Sequence, residues 1–142
     1  MGDKIRRIVA YYIKLYNTRD PFKLADYLNI EVQEGNLGDL SGCYMYLKKH
    51  RCIFLNHNLD YAESKMVMAH ELGHAIMHTR TNCCFMASKT LLLTSKVEIQ
   101  ANKFAAELLI SDECIRDNAG YTINQLSRLS GVHEELVKLK LS

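Results

Sequence analysis

Apolar positions recur at helical spacing near the start of the chain, where Ile5, Ile8, Val9, Tyr12, Leu15 and Tyr16 form one face over residues 3–17. Asp20 followed by Pro21 reads as a helix cap with proline at the first helical position, opening a short helix to about Leu28. A strand is expected at 30–33, after which Gly35, Asn36, Gly38 and Asp39 interrupt the pattern. Over 42–55, Tyr44, Tyr46, Cys52, Ile53 and Phe54 favour strand and Lys48-Lys49-His50 supplies a polar turn, which predicts a hairpin. Residues 61–79 carry the strongest helical signal. A polar segment at 80–90 intervenes before a second clear helix from Ser95 to Ile110, with Val97, Ala101, Phe104, Ala105, Leu108 and Leu109 on one side. Thr122 to Leu141 reads as helix, a turn at Gly131-Val132, and helix. The pattern is α+β: mostly helical, with a small antiparallel sheet or hairpin.

Length and composition narrow this further. The 142 residues suit one domain, 1–142, and 48% apolar with 24% charged residues excludes disorder for most of the chain. A net charge of +2 excludes a broadly basic surface for nucleic acid. The longest apolar runs, at 66–69 and 91–93, fall far short of the roughly 18–20 residues of a membrane span. The basic start leads into a segment broken by Lys14, Asn17 and Arg19, unlike an export signal, so the expected compartment is the cytoplasm. The five cysteines are then reduced thiols. They include no C-x-x-C, and nothing near the adjacent Cys83-Cys84 lowers a thiol pKa in an obvious way.

The chemistry concentrates at His70-Glu71-Leu72-Gly73-His74, an H-E-x-x-H motif on the strongest helix. Four helical residues advance about 400° and about 6 Å, so His70 and His74 lie one turn apart on one face and both imidazoles reach a single Zn²⁺. Glu71, about 100° round from His70, is placed to take a proton from a water activated by that metal. Val67, Met68, Ala69, Leu72, Gly73, Ala75 and Ile76 make this helix largely buried, where two histidines and a carboxylate are costly without partners. Gly73, a poor helix former, implies close approach of another element or of substrate. A catalytic zinc takes a third protein ligand. His78 extends the stripe, but about 12 Å along the axis from His70 is too far; it reads as a pocket wall or as a polar residue at the helix end. Glu98, opening the next helix, is the better candidate. Ser95-x-x-Glu98 also fits a capping box that would use the same carboxylate, and Glu107 and Glu113 are alternatives. Asn102 shares a face with Glu98 and suits a donor or acceptor behind the ligands.

The segment Met68-Ala-His-Glu-Leu-Gly-His-Ala-Ile-Met-His78, followed by Glu98-Ile-Gln-Ala-Asn-Lys-Phe-Ala-Ala-Glu-Leu-Leu109, resembles the ImmA/IrrE family of bacterial and phage metallopeptidases, loosely over residues 20–140. In that family H-E-L-G-H-x-x-x-H is followed by E-x-E-A-N-x-F-A-x-x-L-L-M-P. The resemblance implies a minimal gluzincin-like domain, with His70, His74 and Glu98 as zinc ligands and Glu71 as general base. Gln100 stands where the family often has a second Glu, and Ile110-Ser-Asp where Met-Pro is usual. The resemblance also implies a protein substrate, a helix-turn-helix repressor of a phage or mobile element.

Two other readings compete. The tail from Thr122 could be a DNA-binding helix-turn-helix, but its second helix begins His133-Glu134-Glu135, which repels phosphate. A non-catalytic binding protein would not require Glu71. Tyr44, Tyr46, Tyr61, His78 and His133 are candidates to stabilise an oxyanion. An extended substrate is expected to add to the free edge of the 42–55 hairpin. The segment 111–142, with apolar periodicity at Leu126, Leu129, Val132, Leu136 and Val137, is a candidate docking tail or completes the core.

Overall fold

The computed structural model describes residues 2–85 and 95–142. Helix α1 (Gly2–Tyr16) sets Ile5 and Val9 into the core and leaves Tyr11 and Leu15 exposed. Helix α2 (Pro21–Tyr27) is capped as its sequence implies: the Asp20 carboxylate accepts from the N–H groups of Phe22 at 2.9 Å and Lys23 at 3.4 Å. Strands β1 (Glu31–Gly35), β2 (Gly42–Leu47) and β3 (His50–Asn56) precede helix α3 (Tyr61–Met77). Strand β4 (Cys83–Phe85), helix α4 (Lys96–Leu109), and the short helices α5 (Asp112–Asp117), α6 (Ile123–Ser130) and α7 (Glu134–Leu141) follow.

The class is α+β, as the pattern predicts, but the sheet is larger than one hairpin. Its order is β1-β3-β2-β4. Strands β2 and β3 form the expected antiparallel hairpin around Lys48 and Lys49, both left-handed (φ 50° and 67°), the turn geometry that matches strand twist. Strand β1 runs parallel to β3, and β4 runs antiparallel to β2. The sheet is therefore mixed: β1 covers the β3 side of the hairpin, and β4 covers β2 at Gly42, Cys43 and Tyr44. The expectation of a wholly free hairpin edge for substrate is corrected accordingly. Strand β4 arises in the segment read as a polar connection, since three residues are too few to show a period of two. Residues 86–90 of that segment lie outside the described residues.

The core lies between one face of the sheet and α3, with α4 packed behind. Tyr44, Ile53 and Leu55 meet Val67, Met68 and Leu72, and Phe104 and Leu108 close the other side. Two glycines set these spacings. A Cβ at Gly42 would sit 2.6 Å from Val67 Cγ1 and 3.0 Å from the Phe54 carbonyl oxygen, so β2 lies directly on α3. A Cβ at Gly73 would sit 3.1 Å from Phe104, so the element that approaches Gly73 is α4.

The tail is built into this core. Helix α5, which the hydrophobic pattern does not reveal, is capped by the Ser111 hydroxyl, which accepts from the Cys114 N–H at 3.0 Å. Thr122 and Gln125 form a capping box at α6, and Gly131, left-handed at φ 74°, ends it. Leu126, Val132, Leu136 and Val137 are buried, whereas Leu129 is exposed. Lys140 Nζ reaches Glu107 at 2.8 Å and Asp112 at 2.5 Å, fastening α7 to α4 and α5. Among the described residues no helix is long and apolar enough to cross a membrane.

Because backbone cannot yield as a side chain can, Gly42→Ala is expected to destabilise the fold by about 2–3 kcal/mol. Gly73→Ala is expected to cost about 1 kcal/mol, its overpacking against Phe104 partly offset by better helix propensity. Urea midpoints of the two variants test this order; a Gly42→Ala protein as stable as the parent would contradict it.

Candidate metal centre

Helix α3 is buried along Met66–Ala75, and α4 crosses it where Gly73 leaves room for Phe104. That crossing brings the start of α4 over the two histidines of α3. His70 Nε2 lies 2.8 Å from Glu98 Oε2, His74 Nε2 lies 3.1 Å from Glu98 Oε1, and the two Nε2 atoms are 3.2 Å apart. Four bonds of about 2.0–2.1 Å in a tetrahedron place their ligand atoms roughly 3.3 Å apart. The observed separations therefore suit a common ion.

The surrounding hydrogen bonds aim the ligand atoms. His70 Nδ1 donates to Asn102 Oδ1 at 2.7 Å, which leaves the Nε2 lone pair facing the cluster. His78 Nε2 donates to Gln100 Oε1 at 2.8 Å, so His78 Nδ1 accepts from His74 Nδ1 at 3.0 Å, and the Nε2 lone pair of His74 also faces inward. Two lone pairs and a carboxylate thus converge in a buried space. Without a cation between them they repel, so the donor set fits a metal ion.

Electrostatics point the same way. Burial lowers the His70 pKa, partly offset by the neighbouring Glu98 carboxylate and reinforced by His74, so the ring stays neutral. Burial raises the Glu98 pKa, but the adjoining His70 and His74 imidazoles outweigh it and hold the carboxyl well below its usual range. Glu71 behaves oppositely. It is wholly buried, both carboxylate oxygens lack a hydrogen-bond partner, and one stands 3.9 Å from His70 Nε2. Burial first, and the Glu98 charge second, push its pKa well above the usual carboxylate range.

The remaining candidates separate cleanly. Ser95 makes no side-chain cap, so Glu98 is not held in a capping box. Glu107 is engaged by Lys140 and Lys103, and Glu113 is exposed. His78 touches the cluster from behind, through His74. Tyr44 donates to the Thr79 carbonyl at 2.6 Å, and burial pushes its phenol up to about 12. Tyr46 is half-buried beside Asn82, Tyr61 is exposed at the start of α3, and His133 is exposed as the cap of α7.

Two participants escape the sequence reading. Gln100, noted only as a departure, fixes the His78 tautomer. Cys83 on β4 stands with its Sγ, a His74 nitrogen and a Glu98 oxygen all within 4.8 Å of one another. Only the tertiary pairing of β4 with β2 could reveal it. Beyond His78 and Gln100 a groove of about 870 Å³ opens between α1 and the facing ends of α3 and α4, lined also by Lys4, Arg7, Tyr11 and Tyr12.

The profile of peptidase family M78, the IrrE N-terminal-like domain, matches residues 25–142. The chain is 41% identical over 139 residues to a protein of Bacillus phage phi105 named uncharacterized immunity region protein 2, covering 96% of this chain and 88% of that protein. It is 28% identical over 144 residues to metallopeptidase ImmA of Bacillus subtilis (strain 168), covering 97% of this chain and 84% of the relative.

The orphaned Glu71 carboxyl has a pH signature in chelator-treated protein. Below the ordinary carboxyl range both folded and unfolded chains hold it protonated. As pH rises above that range the unfolded chain releases the proton and the folded chain keeps it. Stability is lost by up to about 1.4 kcal/mol per pH unit until the folded group also ionises. Glu71→Gln is therefore expected to be the more stable protein at neutral pH, the difference closing as pH falls toward the ordinary carboxyl range. Urea midpoints across pH check this; parallel curves for the two proteins would contradict a raised carboxyl.

Proposed function

Because the chain belongs to the peptidase family of the IrrE N-terminal-like domain, we propose that it is a zinc-dependent endopeptidase of the H-E-x-x-H, gluzincin-like kind. His70, His74 and Glu98 hold the zinc, and Glu71 is the general base. The observation that carries this reading is the convergence of two Nε2 lone pairs and a carboxylate beside a buried, unpartnered Glu71. Zinc bound there supplies a Lewis acid that polarises a peptide carbonyl and acidifies water. Glu71 takes the proton of the attacking water, holds it where burial favours the neutral form, and delivers it to the leaving amine. Asn102 and His78 keep both imidazoles in the ligating tautomer while this happens.

We read residues 1–142 as one metallopeptidase domain working in the cytoplasm, with 111–142 contributing to its core. The substrate we propose is a helix-turn-helix repressor of a phage or mobile element. The resemblance to ImmA/IrrE proteins supports it, and so do the words immunity region in the name of the phage phi105 relative. A folded repressor offers few extended segments, so cutting falls in an exposed linker or a locally opened helix. The groove beside His78, with Lys4 and Arg7 among apolar and tyrosyl groups, is a docking surface of suitable size. A DNA-binding role is less well supported, because α7 spends Leu136 and Val137 in the core and opens on Glu134 and Glu135. A purely structural metal site gives no reason to bury Glu71 unpartnered.

Metal analysis should find about one zinc per chain, and a competitive chelator titration should show Glu98→Ala weakening it far more than Glu107→Ala. Equal affinities for the two variants would remove Glu98 from the ligand set. Incubation with the repressor encoded beside this protein should give one or two fragments by mass spectrometry, abolished by chelator. Glu71→Gln should retain zinc and slow cleavage by about 10²–10⁴-fold. Chelator-insensitive cleavage, or broad digestion of casein, would overturn the dedicated zinc peptidase.

A further inference from the structure

A catalytic metal with three protein ligands keeps a fourth position open. In this fold a thiol stands beside that position. Strand β4 pairs with β2 so that Cys83 is opposite Tyr44 and Cys84 is opposite Cys43. Residues opposite one another across a strand pair share a face, and neighbours along a strand alternate. Gly42 and Tyr44 belong to the face that lies on α3, where a Cβ at Gly42 would meet Val67 and Glu71. Cys83 shares that face and Cys84 takes the opposite one. The Sγ of Cys83 consequently falls within 4.8 Å of a His74 nitrogen and a Glu98 carboxylate oxygen. It donates to the Thr81 carbonyl at 3.5 Å and also lies in hydrogen-bonding contact with the Glu98 carboxylate. A Zn–S bond of about 2.3 Å with Zn–N bonds of about 2.0–2.1 Å separates sulfur from nitrogen by roughly 3.5 Å, a displacement a cysteine rotamer at a short edge strand can accommodate.

Charge argues for the same arrangement. Two anionic donors, Glu98 and a thiolate, neutralise a dication in a buried site. A water in place of the sulfur leaves the site one positive charge in excess until that water ionises. A second observation is independent of the thiol: the carboxylate of Glu71, fully buried and without a hydrogen-bond partner, has an oxygen within 4.8 Å of ring nitrogens of both His70 and His74.

We propose that Cys83, as a thiolate, is the fourth ligand of the metal, so that the resting protein carries a closed His-His-Glu-Cys site and is a latent peptidase. The proposal rests on the metal site argued above. On binding, the sulfur loses its proton to solvent and forms the bond to the metal; no electron is transferred. Displacement of the sulfur, or its alkylation by an added electrophile, opens the position that a water and a peptide carbonyl need.

The test loads the full-length protein with Co²⁺ in place of zinc. The expected spectrum contains a thiolate-to-cobalt charge-transfer band in the near ultraviolet beside the visible bands of a tetrahedral site. Cys83→Ser should lose the charge-transfer band and keep the visible ones, and Cys84→Ser should keep both. In the zinc form, Cys83→Ser should cleave the repressor faster than the parent. Should the serine variant fail to fold, peptide-mapped alkylation of the unmodified protein serves instead. Zinc should protect Cys83 and leave the exposed Cys84 reactive, with chelator restoring Cys83 labelling. A cobalt protein with visible bands but no charge-transfer band overturns Cys83 as ligand and leaves the peptidase reading intact. So does equal labelling of Cys83 with and without zinc. A protein that takes up no metal overturns both.

Discussion

The whole arrangement depends on how closely α4 approaches α3. The contact is Gly73 against the ring of Phe104, where even a Cβ would sit 3.1 Å from Phe104 and force it to shift by a few tenths of an ångström. Glu98 and Asn102 lie one and a half turns and half a turn before Phe104 on α4, and His70 and His74 flank Gly73 on α3. Fixing that one crossing therefore fixes the four polar groups relative to one another. A helix glycine costs about 1 kcal/mol in propensity. That cost is offset by bringing the carboxylate within hydrogen-bond range of both imidazoles. The opposite face of α3 is pinned in the same way, by β2 lying on Val67 at Gly42. The motif helix is clamped between two close contacts and has little freedom to drift.

Such a clamp buries groups that resist burial. His70, Glu71 and His74 are essentially inaccessible, and Glu98 nearly so. An unpaired buried charge costs several kcal/mol, so the structure must distribute protons and hydrogen bonds with care. It does so asymmetrically. Each histidine gives its Nδ1–H to a partner on the far side, Asn102 for one and His78 for the other, which turns both basic nitrogens inward. Glu98 lies against both imidazoles and stays ionised, whereas Glu71, with no hydrogen-bond partner, is driven toward the neutral form. Two neighbouring carboxyl groups thus acquire opposite tendencies from their surroundings alone.

The periphery serves this centre. The tail helices α6 and α7 insert Leu126, Val132, Leu136 and Val137 behind α4, and the buried Lys140 ties α7 to Glu107. These contacts hold α4 against α3 from behind. On the other side, β4 extends the sheet past β2 and carries two cysteines, Cys83 on the face toward His74 and Glu98 and Cys84 on the other. The sheet edges that remain open among the described residues are the outer sides of β1 and β4.

The sequence by itself determined what is local. The 3.6-residue period of α3 puts His70 and His74 on one face with Glu71 beside them, and no tertiary information is needed for that. Caps and turns were equally legible, because Asp20, the Thr122–Gln125 pair and Gly131 act on backbone groups within a few residues of themselves. What the tertiary structure decided is everything that joins residues distant in the chain. Glu98 had two possible uses in sequence, and the packing of α4 on α3 places its carboxylate 2.8 Å from His70 while Ser95 caps nothing. The same packing gave Glu107 to lysines and gave Gln100 to His78. Strand β4 was the least legible, because an edge strand is held by backbone hydrogen bonds to a neighbour, and these leave no mark on a short run of side chains. Cys83 follows from that: its nearness to the metal cluster is a property of strand pairing, and no spacing along the chain encodes it.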